Sequence, residues 1–119
     1  MKKYISLSII IAFIHIVYCE STSSKISEEY LYRGYTHQKL NHPDSARYFY
    51  QRIIDADENM YTTADAYLHL SEIEEACGNY KEALRLLHIN QNWQDSIHKT
   101  TQAEMMQQIN ALHVKHNTE

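Results

Sequence analysis

Glycine and proline are nearly missing from this chain, with two Gly and one Pro in 119 residues. Proteins built from tight β-turns use both residues often, so the scarcity excludes a hairpin-rich β architecture and favours helices with short connections. Cysteine is equally sparse. Cys19 and Cys77 stand in different settings, and two cysteines do not make a disulfide-stapled scaffold. Basic residues are outnumbered, 11 against 15 acidic, for a formal net charge of -4. Removing the first 18 residues takes Lys2 and Lys3 with them and leaves nine basic against 15 acidic. No basic stripe is present, which argues against nucleic acid and against an anionic membrane surface as partners. A Gly-rich phosphate loop, a nucleophile motif and a paired-carboxylate cleft are all lacking. The expectation is a single small all-α domain that is not an enzyme and takes no cofactor, metal or small-molecule substrate.

What the chain does have begins at its start. Met1, Lys2 and Lys3 precede an apolar run from Tyr4 to Tyr18, interrupted only by Ser6, Ser8 and His15. A basic start followed by a run of this length reads as a secretory signal, and it is short for a membrane span of about 20 residues. Cys19 stands where the run stops, before the polar stretch Glu20 to Ser24. The segment resembles a bacterial lipoprotein signal, which implies that Cys19 is lipidated and that residues 20–26 form a polar tether. Tyr18 departs from the small residue usual before such a cysteine, so a lipoprotein, an uncleaved signal anchor and a secreted protein all remain open. Each puts residues 20 onward outside the cytoplasm, in the periplasm or on the outer face of a bacterial membrane.

Residues 27–92 contain an internal repetition. Tyr30 is followed four residues later by Gly34, then after twelve by Ala46 and after four by Tyr50. Tyr67, Ser71, Ala83 and Leu87 repeat these offsets. Gly34 and Ser71 are small where a second helix crosses closely, Ala46 and Ala83 are the small positions on that second helix, and the bulky residues fill the space around the crossing. Pro43 suits a first helical turn, and Gly78 with Asn79 and Glu82 marks a helix end followed by a capping-box-like start. These signals predict helices at about 25–40, 43–56, 61–77 and 80–91. A further helix is expected from Trp93 to His116, with Ile97, Met105, Ile109 and Leu112 on one face, docked as a cap on the second unit.

The aromatic, small, Ala and bulky residues at these offsets resemble the tetratricopeptide repeat (TPR), a helix–turn–helix unit of about 34 residues that stacks into an α-solenoid. The resemblance implies two units, at about 27–57 and 61–92, whose first helices line a peptide-binding groove. Leu31, Tyr35, Gln38, Leu68, Glu72 and Glu75 would face that groove and meet a protein or peptide partner. Gln94 to Ile97, Gln108 to Leu112 and Lys115 to Glu119 are moreover similar to motifs of TPR sensor proteins of the Bacteroidetes type. In those, an exported TPR array precedes a membrane helix and a histidine kinase or helix-turn-helix output domain. His116 stands where the family usually has Tyr. The sequence stops at Glu119, before any output domain, so the expected function is an exported, membrane-tethered protein-interaction module. The sensor part of a signalling receptor or transcriptional regulator is the alternative.

Other residue clusters have plainer readings. His113 and His116 are three apart on a helix with only Glu119, near a fraying end, at ligand spacing nearby, and read as a solvated pair. Cys77 reads as a small buried hydrophobe. Glu72, Glu74 and Glu75 read as a solvated acidic face.

Overall fold

A computed structural model describes residues 6–118, leaving the side chains of residues 19–24 undescribed. Among the described residues the chain is all-helical. Four helices follow one another: α1 (Leu7–Lys39), α2 (Pro43–Ala56), α3 (Met60–Ala76) and α4 (Tyr80–Thr118). Each packs on its neighbour in sequence, and α1 also touches α3.

The connections are dictated by backbone chemistry. At the end of α1, Asn41 takes the left-handed conformation (φ 59°), its N–H reaches the Gln38 carbonyl (3.1 Å), and His42 N–H reaches that of His37 (2.9 Å). At the end of α3, Gly78 is left-handed (φ 81°), its N–H bonds to the Glu75 carbonyl (3.0 Å), and Asn79 N–H bonds to Glu74 (2.8 Å). Both are Schellman turns, which satisfy carbonyls that a helix end leaves unpaired. Each bond at the second turn joins residues 37 positions beyond its counterpart at the first. The following helices also start alike, with Ala46 N–H on the His42 carbonyl and Ala83 N–H on that of Asn79. Between the two hairpins, Asp57 closes α2 in the left-handed region. Asn59 then opens α3, its side chain accepting from the N–H groups of Tyr61 and Thr62. Asn79 stands just before α4, its carbonyl accepting from Ala83 N–H (2.9 Å) and its side-chain amide donating to Glu74 Oε2 at 2.7 Å.

The core is small. Ala46, Tyr50 and Ile53 of α2 meet Ala66, Leu70 and Ile73 of α3 and Leu86 of α4, with Tyr30, Leu31, Ile54 and Tyr67 packed around them. Two polar contacts, one buried and one partly buried, add direction. Asn90 donates to the Ala64 carbonyl (2.8 Å), tying α4 to α3, and Ser27 donates to Glu58 Oε2 (3.1 Å), tying α1 to the inter-hairpin loop.

Several expectations need correction. The helix expected from residue 25 begins at Leu7, so the backbone of the stretch read as a polar tether is helical. The helices expected at 80–91 and 93–116 are one, and from His98 to Thr118 every residue is exposed. The last segment therefore does not fold back as a cap. Nothing interrupts it, since no Gly or Pro lies between Asn79 and Thr118 to break the helical path. Residues 7–18 are likewise exposed on all sides. Among the described residues no helix is long and apolar enough to cross a membrane.

Candidate functional site

The candidate groove residues were Leu31, Tyr35 and Gln38 on α1 and Leu68, Glu72 and Glu75 on α3. Spacings of three and four put each set on one helix face, and α1 and α3 bring the two faces together. Gln38 Nε2 donates to Glu72 Oε2 at 3.0 Å. The Tyr35 ring meets the His69 ring edge-on, with centroids 5.9 Å apart. Lys39 Nζ stands 5.1 Å from the Tyr35 ring centroid. Leu31 and Leu68 are half-buried, and Glu75 and Tyr35 are exposed, Tyr35 at 44%.

Behind this face lies Tyr50. It is fully buried, its hydroxyl donates to Gln38 Oε1 at 2.8 Å, and its ring stacks on His69 at 5.3 Å. His69 Nδ1 in turn lies 3.0 Å from Glu72 Oε2. Gln38, Tyr50, His69 and Glu72 thus form one connected network across three helices. Burial raises the Glu72 carboxyl, but hydrogen bonds from His69 and Gln38, with the charges of His69 and Lys39, outweigh it and hold the group below its ordinary value. Burial, with Glu72 and Tyr35 nearby, pushes the Tyr50 phenol far upward. Glu72 is accordingly not simply a solvated carboxylate. It accepts from one helix while standing on another.

The candidate crossing residues differ in burial. Gly34, Ala46, Tyr50 and Ser71 are buried, and Tyr30, Tyr67 and Ala83 are half-buried. Gly34 leaves room for the Tyr50 ring: a Cβ there would sit 2.6 Å from Tyr50 Cε1. Leu87 is the exception. It is 46% exposed, and its neighbour Leu86 is buried instead. The reason is position in the stack. Among the described residues α2 lies against both α1 and α3, whereas α4 has only α3 beside it. No helix among the described residues covers the face of α4 equivalent to that of Tyr50.

A second polar cluster was not anticipated. Arg47 reaches Glu74 (2.6 Å) through Nε, Asp44 (2.8 Å) through Nη1 and Cys77 Sγ (3.3 Å) through Nη2. Glu74 also accepts from Asn79. The hydrogen bonds from Asn79 and Arg47 keep the Glu74 carboxyl below its ordinary value, and Glu74 in turn raises Arg47. Glu74, 12% exposed, is therefore a half-buried clamp and no part of a solvated face. Cys77, read as buried, is an exposed free thiol at the helix end. The internal repetition could not have revealed the cluster, because the position 37 residues after Arg47 is Leu84. Above the cluster, a cleft of about 550 Å³ opens between α2, α3 and α4, with Tyr48, Arg52, Tyr67 and Arg85 among its walls.

The side chain of Cys19, the candidate lipidation site, lies outside the described residues, as does the basic start at Lys2 and Lys3. His113 and His116 are exposed on the free end of α4. Among the described residues no group of three His, Cys, Asp or Glu is gathered as a metal site. Compared with known proteins, the chain matches no family model, no characterised protein and no solved structure.

Proposed function

We propose that the chain is an exported, membrane-tethered TPR-type module that binds a polypeptide through the joint face of α1 and α3. The observation that carries this reading is the Gln38–Glu72 hydrogen bond with the Tyr35–His69 contact beside it. Together they link α1 to α3, with Tyr35 and Glu75 standing exposed on the two helices. The paired Schellman turns 37 residues apart support the repeat assignment, because the same local geometry recurs with the same sequence offsets. The apolar, exposed residues 7–18 support a targeting or tethering role for the N-terminal segment.

The surface suits a peptide with neutral or basic side chains. Tyr35 offers a ring for stacking and Glu75 an exposed carboxylate. Two hairpins provide a short face, so the interaction is weak and transient. The test is recovery of partners from an envelope fraction by wild type and by a Tyr35→Ala/Glu75→Lys variant. Glu72 is kept because it joins the helices. The reading expects the variant to lose a partner that wild type and a control on the opposite side, Arg52→Ala, both retain. Equal recovery by all three would remove the α1–α3 face as the binding surface.

A further inference from the structure

From His98 to Thr118, α4 leaves the body of the protein with every residue exposed. Helices in proteins draw most of their stability from packing one face, and this arm packs no face on the body. Nearer its start, α4 carries a second uncovered apolar region formed by Tyr80, Leu84 and Leu87.

These two regions lie on one line. With about 3.6 residues per turn, the positions four, seven, eleven and fourteen residues to either side of His98 all fall within about 40° of it around the helix axis. Leu84 and Leu112 are equally far from His98, and so are Leu87 and Ile109. The stripe is apolar at both ends and mostly polar in the middle, where Gln91, Gln94 and Gln102 flank His98. Apart from Met105, which stands opposite Gln91, it reads alike in both directions.

We propose that α4 pairs antiparallel with α4 of a second copy of this chain, about a two-fold axis at His98. A two-fold interface must be complementary to itself, and the apolar ends of this stripe are. Leu84 and Leu87 of one copy meet Ile109 and Leu112 of the other, at both ends of a seam about 42 Å long. The uncovered arm of each copy thereby covers the uncovered body patch of its partner. Charges agree with this direction. Asp95 and Lys99 lie on the same side of the stripe, so Asp95 of each copy comes beside the partner's Lys99. A parallel pair would set body against body and leave both arms to pack only on each other.

The test uses the full chain in mild detergent. Light scattering after size exclusion should give a dimer for wild type, and Leu112→Arg should weaken dimerisation at least about tenfold by placing a charge in an apolar seam. Leu112 lies 67% exposed on the arm beyond the body, so the melting of the body should not change in the monomeric variant. Direction is read by oxidation with both native cysteines replaced (Cys19→Ser, Cys77→Ser). Chains carrying Leu87→Cys should cross-link to chains carrying Ile109→Cys in a mixture. A monomeric wild type, cross-linking of Ile109→Cys chains to each other alone, or an internal disulfide in a monomer carrying both substitutions would each overturn the proposal.

Discussion

Gly34 and Tyr50 occupy one space: a Cβ built on Gly34 would stand 2.6 Å from Cε1 and 2.9 Å from Cζ of the Tyr50 ring. The ring cannot give way cheaply. It is fully buried, stacked on His69 and anchored through its hydroxyl to Gln38. In an ordinary helix interior, Gly→Ala stabilises by roughly 0.5–1 kcal/mol. Here Gly34→Ala should instead destabilise by about 1–3 kcal/mol, the usual cost of overpacking a core. A denaturant melt decides the sign. An increase in stability would mean that the Gly34–Tyr50 contact is looser than this geometry.

Ala46 and Ala83 share a sequence offset but not an environment. Ala46 is fully buried between α1 and α3, while Ala83 is half-buried with only α3 beside its helix. Ala46→Leu should cost about 1–3 kcal/mol by overpacking. Ala83→Leu should cost clearly less, because its side chain can turn toward open space. Melts of the two variants side by side check this, and equal losses would mean that a further element covers α4.

These two alanines also show what a sequence can and cannot reveal. Local rules gave the turns: Asn41 and Gly78 tolerate left-handed backbone, and Pro43 suits a first turn. The offsets singled out Gly34, Ala46 and Tyr50, which lie buried together, since close helix crossings demand small residues opposite a bulky one. Leu87 went astray because an offset carries the residue type but not the surroundings, and α4 sits at the open end of the stack. The Arg47–Glu74–Asn79 clamp joins residues 27 and five positions apart on different elements, a pairing no periodicity encodes. Cys77 reads as a small apolar residue by type, but it is the C-cap of α3 and stands exposed, beside the Arg47 guanidinium. Asn59 is legible in the sequence, as an Asn immediately before a helical run is a standard N-cap signal.

Glu74 should give stability a measurable pH dependence. Its carboxyl is held below the ordinary value of 4.5 by Asn79 and Arg47. A carboxyl depressed in the folded state contributes stability above its unfolded pKa, and that contribution is lost as pH falls through the folded value. Melting temperatures recorded from pH 7 down to about pH 3 should fall in the acid range for wild type. Glu74→Gln should be less stable at pH 7 and should fall less steeply below about pH 4.5, because the titrating group is gone. Identical acid slopes for the two proteins would show that the clamp does not contribute.

The last prediction tests whether the two hairpin turns are physically equivalent. Asn41 and Gly78 hold the same place in their Schellman turns, with φ of 59° and 81°. Beyond its two chain neighbours, no described atom lies within 4 Å of a Cβ built on Gly78, so a side chain there meets no steric obstacle from the rest of the fold. Any cost must come from the backbone conformation itself. Asn enters the left-handed region more readily than other residues with a Cβ, whereas a β-branched side chain is poorly suited to it. Gly78→Asn should therefore cost little, and Gly78→Val should cost about 1–2 kcal/mol. The converse change, Asn41→Gly, should be close to neutral, since Gly relieves strain in the folded turn while gaining freedom in the unfolded chain. If Gly78→Val were as mild as Gly78→Asn, the second turn would not depend on its left-handed residue. The equivalence with the first turn would then fail, and with it the structural support for reading the two hairpins as repeats.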